Sequence, residues 1–371
     1  MQIVFLGPLP PLQGGIARHS GEVVQALSAI SGVDVRTITF ARLFPRLLYP
    51  GSMPVDATDP DGVLDSIDPR TWLTVARDLE RSPPRLLVIP AWTFFVAPVM
   101  GFIARKARKA GIKVAMIAHN VGDHEGAEWK SRLMRLQLAS ADCFVVHSAH
   151  LQSELRRLFP AKPSALVPHP PYGNFPETGE KYPRRAKLEL LFFGYVRQYK
   201  GLDILLDAIE LVPDIDLKLT VAGEVWSEGT TLRDRIASPP LAGRIELLDR
   251  YVDDAEIAPL FRRCDALVVP YRKATGSGVI AVAQNFGTRV IASKVDGLAE
   301  AVSTEDGDLL VAPDNPAALA RAIAEAASSP FAASRKQPCA DAWRAYATAL
   351  LHLALGDDAS PCAGTGDIAN G

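Results

Sequence analysis

Two series of short apolar runs alternating with helix-period segments fill most of this chain, and one stretch without a usable period separates them. In the first series, strands are expected at residues 2–6, 34–40, 85–90, 113–118 and 143–147, with a short extended run at 164–168. Helices are expected between them at 20–31, 71–79, 98–110, 129–141 and 150–158. Strands that alternate with helices and are apolar throughout predict a parallel sheet covered on both faces. The stretch HPPYGNFPETGEKYPRRAK then breaks the pattern with Pro, Gly and charge. Beyond it the alternation resumes, with strands expected at 189–194, 216–222, 245–248, 266–270, 289–292 and 308–311. The matching helices are expected at 202–212, 231–238, 253–264, 278–286, 297–302 and 316–328.

The reading is therefore α/β, with two Rossmann-like domains at 1–172 and 187–331 joined by a linker at 173–186. A helical segment at 332–355 is expected to pack back on the first domain, and the small, polar tail at 356–371 to be disordered. Two such domains leave a cleft between their strand carboxyl ends, where open α/β sheets bind ligands.

Charge and composition exclude several classes. Residues 1–175 carry 19 Lys and Arg against 14 Asp and Glu, and the remainder 21 against 28, an excess too small for a nucleic-acid binder. No apolar run reaches the roughly 18 residues needed to span a bilayer, and the N-terminus lacks the pattern of a cleaved leader. Cys143, Cys264, Cys339 and Cys362 show neither metal-ligand nor redox spacing, which predicts reduced thiols in the cytoplasm and argues against zinc. The segment 92–113 has Trp92, Phe94, Phe95, Met100 and Phe102 ahead of Arg105, Lys106, Arg108, Lys109 and Lys113. That order fits an interfacial helix in peripheral contact with an anionic membrane, at the inner face of the plasma membrane; a buried helix with a solvated basic end fits equally well.

The residues with chemistry cluster at strand ends. The apolar run 190–193 stops at Gly194, and Arg197 and Lys200 follow before a strongly patterned helix. Arg offers a planar fork to phosphate oxygens and Lys a compact charge. A solvated helix start is the structural alternative, but cations there oppose the positive end of the helix dipole. After the run 266–270 comes Ala274-Thr275-Gly276-Ser277-Gly278, then another helix. Glycines let backbone N–H groups approach phosphate, and the two hydroxyls add donors, although Ser and Thr also serve as ordinary N-caps. Together these features point to a diphosphate.

Gly14-Gly15 follows the first strand after a proline-rich turn, without the spacing of a dinucleotide fingerprint, and could close over a phosphate or acceptor from across the cleft. His119 ends the strand MIAHN, where an imidazole can donate to a sugar hydroxyl or manage a proton, although a lone histidine is as readily structural. Asp123, His124 and Glu125 follow in a loop that could face an acceptor, and no role is assigned to them.

With these residues in hand, the chain resembles the GT-B fold glycosyltransferases of the family-four, retaining type, from Met1 to about Leu355. The resemblance rests on FLGPLPPLQGGIARH, IAHN, FFGYVRQYKGLDILLDAI, TVAGE, DRYVDDAEIAPLFRRCDALVVPY and GTRVIASKVDGLAE. It implies parallel sheets facing across a deep cleft, with the nucleotide sugar on the second domain and the acceptor on the first. It implies that Arg197 and Lys200 hold the nucleotide diphosphate, that the base lies near Tyr251 and Val252, and that His119 contacts the sugar. Gly14, Gly15, Gly194, Glu224, Thr275, Gly276, Ser277, Gly278 and Val279 complete the expected donor-binding set.

The chain departs from the many members that carry two glutamates eight positions apart. Ala274 and Val282 stand there, and Thr275 to Val279 resembles a TQSGV-like sequence with Gly276 in place of Gln. The expected activity is metal-independent transfer of a sugar from a UDP- or GDP-type donor, with no cofactor. The expected acceptor is a hydroxyl of a glycan or polyprenyl-diphosphate-linked oligosaccharide, in bacterial polysaccharide or O-antigen assembly, with retention. The rivals are a nucleotide-sugar epimerase or phosphorylase of the same fold and a catalytically inactive sugar-nucleotide-binding partner.

Overall fold

The computed structural model describes residues 1–44, 61–122, 128–173, 175–176, 179, 182–225, 229–329 and 339–356. The first half runs β1 (Gln2–Leu6), α1 (Gly15–Ser28), β2 (Asp34–Ile38), β3 (Phe40–Arg42), β4 (Leu64–Asp65), α2 (Pro69–Arg81), β5 (Leu86–Ala91), α3 (Ala97–Lys109), β6 (Lys113–Ala118), α4 (Glu128–Leu138), β7 (Cys143–Val146), α5 (Ala149–Leu158) and β8 (Ser164–Leu166). The second runs β9 (Leu188–Phe193), α6 (Leu202–Glu210), β10 (Leu217–Ala222), α7 (Gly229–Ala237), β11 (Ile245–Leu248), α8 (Asp254–Arg263), β12 (Ala266–Val269), α9 (Gly278–Phe286), β13 (Arg289–Ser293), α10 (Asp296–Ala299), β14 (Leu309–Val311), α11 (Pro316–Ser328) and α12 (Cys339–Leu355).

Two six-stranded parallel sheets result, ordered β2-β1-β5-β6-β7-β8 and β11-β10-β9-β12-β13-β14, with β3 and β4 as a separate parallel pair. Strand order reverses beside β1 in the first sheet and between β9 and β12 in the second, and such switch points are where ligands bind in open α/β sheets. Central strands are buried on both faces: Ile3 to Leu6 and Leu86 to Ile89 are fully inaccessible. This is why they read as unbroken apolar runs without a period-2 pattern. One exception is Glu189, 1% exposed within β9; its carboxylate accepts from the Arg185 backbone N–H at 2.5 Å and pairs with the Arg185 guanidinium at 3.2 Å. Paired and hydrogen-bonded, the charge is tolerated in the interior.

Helix α12 lies against α1 and the β6–β8 end of the first sheet. Trp343, 3% exposed, donates its indole N–H to the Pro171 carbonyl at 2.9 Å, so the last described helix is fastened to the stretch that leaves the first domain. Residues 332–338 and 357–371 of the expected helical segment and tail lie outside the described residues.

The interfacial reading of segment 92–113 is corrected. Val99, Met100 and Ile103 of α3 are fully buried in the first domain's core, and Trp92, Phe95 and Phe102 pack against that core. The apolar half of α3 is thus largely satisfied by protein, and the basic end, including Arg105, Arg108 and Lys109, reaches solvent. Lys and Arg in a last turn also suit the helix dipole. Among the described residues no helix is long and apolar enough to cross a membrane.

Candidate functional site

Lys200 lies just beyond the carboxyl end of β9. Strand β9 ends at Gly194 (φ +94°), and a single 3-10 turn, Gln198–Lys200, precedes Gly201 (φ +67°) and α6. This route turns the Lys200 side chain back toward the strand end: a methyl group at Gly194 would lie 3.0 Å from Lys200 Nζ and 3.8 Å from Val279 Cγ2. Lys200 is 8% exposed, and burial, reinforced by the Arg197 guanidinium, pushes its ammonium down to about 7. A buried ammonium beside a second cation is unfavourable unless an anion joins them.

The neighbouring loops are held by close backbone approach. Gly223 (φ +148°) has its Cα where an added Cβ would sit 2.3 Å from the Gly194 carbonyl, so only glycine lets the ends of β9 and β10 touch. Beyond the strands, Gly194 N donates to Ala222 O and Val196 N to Glu224 O, both at 2.8 Å. Glu224, 4% exposed, is carried to the same edge. Gly297 plays a similar part below the small-residue loop, where a Cβ would meet the Thr275 carbonyl carbon at 2.2 Å.

Two cavities open at the strand carboxyl ends. The first, about 790 Å³, is lined from the first domain by Gly14, Gly15, Arg18 and Glu22 and from the second by Gly194, Lys200, Glu224, Tyr251, Val252, Gly278 and Val279. The second, about 920 Å³, is lined by His19, His119, Asn120, His147, His169, Thr275, Gly276, Ser277 and Tyr346. Gly15, Tyr172 and Gly278 border both, and Tyr172 OH, 3.0 Å from His169 Nε2, stands between them.

The single site read from the sequence is therefore distributed. Nine of the expected residues share the first cavity, namely Gly14, Gly15, Gly194, Lys200, Glu224, Tyr251, Val252, Gly278 and Val279, whereas His119, Thr275, Gly276 and Ser277 line the second. Arg197 flanks Lys200 without lining either cavity. The Thr275 hydroxyl, expected as a phosphate donor, instead lies 2.9 Å from the His119 carbonyl and 2.5 Å from Asn120 Oδ1, bridging the domains. Further contacts across the cleft are the bidentate Arg18–Asp254 pair, at 2.9 and 3.2 Å, and Glu300, whose carboxylate accepts from the backbone N–H of Ala149 at 2.7 Å. Asp123, His124 and Glu125 lie outside the described residues.

Sequence reasoning missed Tyr172, Gly223, Gly297, His19, His147 and His169. A signal existed for His147, since VVHS repeats the strand-end pattern of IAHN.

Residues 187–329 match the model of the family described as "Glycosyl transferases group 1", and residues 14–171 match the "Glycosyl transferase 4-like domain". The chain belongs to the group 1 glycosyltransferases. Among relatives of this glycosyltransferase is the GDP-mannose:glycolipid 4-beta-D-mannosyltransferase of Xanthomonas campestris pv. campestris, 26% identical over 279 residues that cover 69% of this chain and 76% of that one. Among solved structures, sucrose-phosphate synthase from Thermosynechococcus elongatus superposes with a TM-score of 0.70 at 20% identity, covering 94% and 95% of the two chains. Anabaena HepE in complex with UDP-glucose gives 0.65 at 15% identity, covering 95% and 97%. These structural likenesses establish the GT-B fold. In this glycosyltransferase the 790 Å³ cavity takes its walls from both matched regions, with the Lys200 edge in the group 1 part and the Gly14-Gly15 turn in the other.

Proposed function

We propose that this glycosyltransferase moves a hexose-type sugar from a nucleotide diphosphate donor in the 790 Å³ cavity to a hydroxyl of a glycan or lipid-linked oligosaccharide. Bacterial polysaccharide or O-antigen assembly is the setting this chemistry serves. The observation that carries the reading is Lys200: an ammonium 8% exposed, beside Gly194 and Val279 at a sheet switch point, with Arg197 adjacent. A diphosphate is the ligand that relieves both like-charge repulsion and desolvation there. As the glycosidic bond breaks, the leaving diphosphate gains negative charge, and Lys200, Arg197 and the start of α9 at Gly278 stabilise that charge more in the transition state than in the ground state. These groups supply the positive charge without a metal at the diphosphate. The base would rest against Tyr251 and Val252 in the same cavity. The glycolipid named for the Xanthomonas relative supports a lipid-linked acceptor.

Retention follows if the departing phosphate oxygen takes the acceptor proton on the same face. A second reading, inversion, is favoured by Glu22, which lines the cavity from α1 and whose carboxyl is raised by burial against the pull of Arg18, as suits a general base. The anomeric configuration of the product by NMR decides between them.

The test is a thermal-shift screen with UDP- and GDP-sugars, since a ligand selective for the folded state raises apparent stability with its occupancy. Transfer assays on the sugar that binds follow. Arg197→Ala and Lys200→Ala should each lower the rate by about 10² or more. Near-normal turnover by a folded double variant refutes the proposal. Reaction of the donor alone would point to epimerisation, and binding without transfer across a broad acceptor panel to an inactive partner.

A further inference from the structure

A cluster of histidines, of which only His119 has an expected role, in contacting the sugar, converges at the carboxyl ends of β6 and β7. His19, on α1, has its ring centroid 4.8 Å from His119 and 5.0 Å from His147, and the latter two are 5.1 Å apart. One ligand nitrogen from each lies within 4.8 Å of the others. His19 is 1% exposed and neither of its ring nitrogens has a hydrogen-bond partner; Nε2 of His119 and Nε2 of His147 are buried and unpartnered as well. Buried polar atoms are normally paired, so three rings that each bring an unpartnered nitrogen to one place call for an occupant.

The occupant's charge follows from a tautomer. His147 Nδ1 lies 3.1 Å from the Val167 carbonyl. A carbonyl only accepts, so Nδ1 carries the proton and Nε2 turns its lone pair inward. A lone pair so directed suits a cation of the zinc, copper or nickel type. His169 is outside the set, because Nδ1 is engaged with the Pro170 carbonyl at 2.7 Å and Nε2 with Tyr172 OH at 3.0 Å.

We propose that His19, His119 and His147 form a divalent transition-metal site of the zinc type, with its fourth position open to the 920 Å³ cavity. Zn–N bonds of about 2.0–2.1 Å in a tetrahedron place ligand nitrogens about 3.4 Å apart, so the widest pair must draw in by about 1.4 Å. Ring rotation at two strand ends and one helix face supplies that movement. A bound ion would tie α1, β6 and β7 together beneath the loop that starts α9. It is separate from the diphosphate chemistry, whose oxygens would recruit a hard ion such as Mg²⁺ that imidazoles bind poorly. Cysteine spacing, which speaks against zinc, does not bear on a site made of histidines.

The test uses tag-free, full-length protein stripped with EDTA and titrated with Co²⁺ as a spectroscopic probe and with Zn²⁺ by calorimetry. One equivalent should bind, Co²⁺ giving the intense visible absorption of a tetrahedral site that Zn²⁺ abolishes. Loss of a ligand must exceed the 10–100-fold typical of outer-sphere partners, so His19→Ala and His147→Ala should each weaken binding by about 100-fold or more. His352→Ala, on an exposed face of α12, should bind as the unaltered protein does. Failure of the unaltered protein to bind either ion stoichiometrically overturns the proposal, whether or not the variants fold. So does unchanged affinity in a folded His19→Ala/His147→Ala protein, or binding of inorganic phosphate at the cluster instead of either metal.

Discussion

Donor binding should be coupled to protonation of Lys200. Its ammonium is pushed from the ordinary 10.5 to about 7 by burial and by Arg197. With that value, about half of the free protein carries the charge at pH 7 and roughly 3% at pH 8.5. A diphosphate in contact favours the ammonium and draws its pKa back up, so binding takes up a proton whenever the free site lacks one. If the bound pKa stays above about 10, apparent affinity should fall about 16-fold from pH 7 to pH 8.5, roughly 1.6 kcal/mol. A nucleotide sugar is the right probe, because its doubly esterified diphosphate has no proton to lose in this range.

Calorimetry in two buffers of different ionisation enthalpy measures the coupling directly, with about 0.5 proton taken up at pH 7 and nearly one at pH 8.5. Lys200→Met should bind weakly and without pH dependence. The stability sign is opposite in sense: between about 7 and 10.5 the unfolded chain holds the Lys200 proton that the folded protein has released, so stability rises with pH across that window. The penalty of the buried charge is complete below about 7. A nucleotide-sugar Kd that is equal at pH 7 and 8.5, with no buffer-dependent heat, refutes the placement of the diphosphate at Lys200. Persistence of the pH dependence in Lys200→Met does so too.

Three further perturbations have defined outcomes. Trp343→Ala removes a side chain 3% exposed and its bond to Pro171, and should destabilise the protein by about 3–5 kcal/mol in denaturant titration. Gly223→Ala places a methyl group 2.3 Å from the Gly194 carbonyl in a backbone conformation that disfavours any side chain; nucleotide-sugar affinity should drop at least about tenfold, as one displaced charge contact at Lys200 would require, and the melting temperature should fall. Thr275→Val leaves the His119 carbonyl and Asn120 Oδ1 without their shared hydroxyl, and a loss of about 1–3 kcal/mol is expected, with a larger radius of gyration by X-ray scattering if the domains part.

The sequence made some elements legible to the residue and others not at all. Helices α9 and α11 and strand β11 begin and end where the pattern places them, because their boundaries have local causes: Asn315 caps the first turn of α11 and Pro316 opens it, while Gly287 in the left-handed region closes α9. Helix α1 starts at Gly15, five residues before the expected Ser20, since Gly14 at φ +113° turns the chain into a helix whose first turn has no capping side chain to announce it. The two-residue strand β4 has no readable period. At the site, the strand-end glycines and cations were legible as a group because each follows an apolar run. The separation into two cavities was not, since it depends on Tyr172, which lies in a stretch of Pro and Gly with no pattern to say where a ring will point.

The histidine cluster shows how such a group can be found from sequence after all. In a parallel sheet, residues that follow equivalent register positions on neighbouring strands are neighbours in space. Ala118 of β6 is paired with Val146 of β7, so the next residues, His119 and His147, must emerge side by side from the same edge. IAHN and VVHS therefore constitute one feature once the strands are known to be adjacent, although 28 positions separate them. His19 joins them because α1 covers the face of the sheet onto which α12 also packs, with Trp343 and Tyr346 closing the other side of its ring. Taken singly, each histidine is an ordinary core residue. By strand order they are a pair fixed by register and a third imposed by helix packing, a coincidence that ordinary core filling does not require, since apolar residues would fill that space without leaving four ring nitrogens unpartnered.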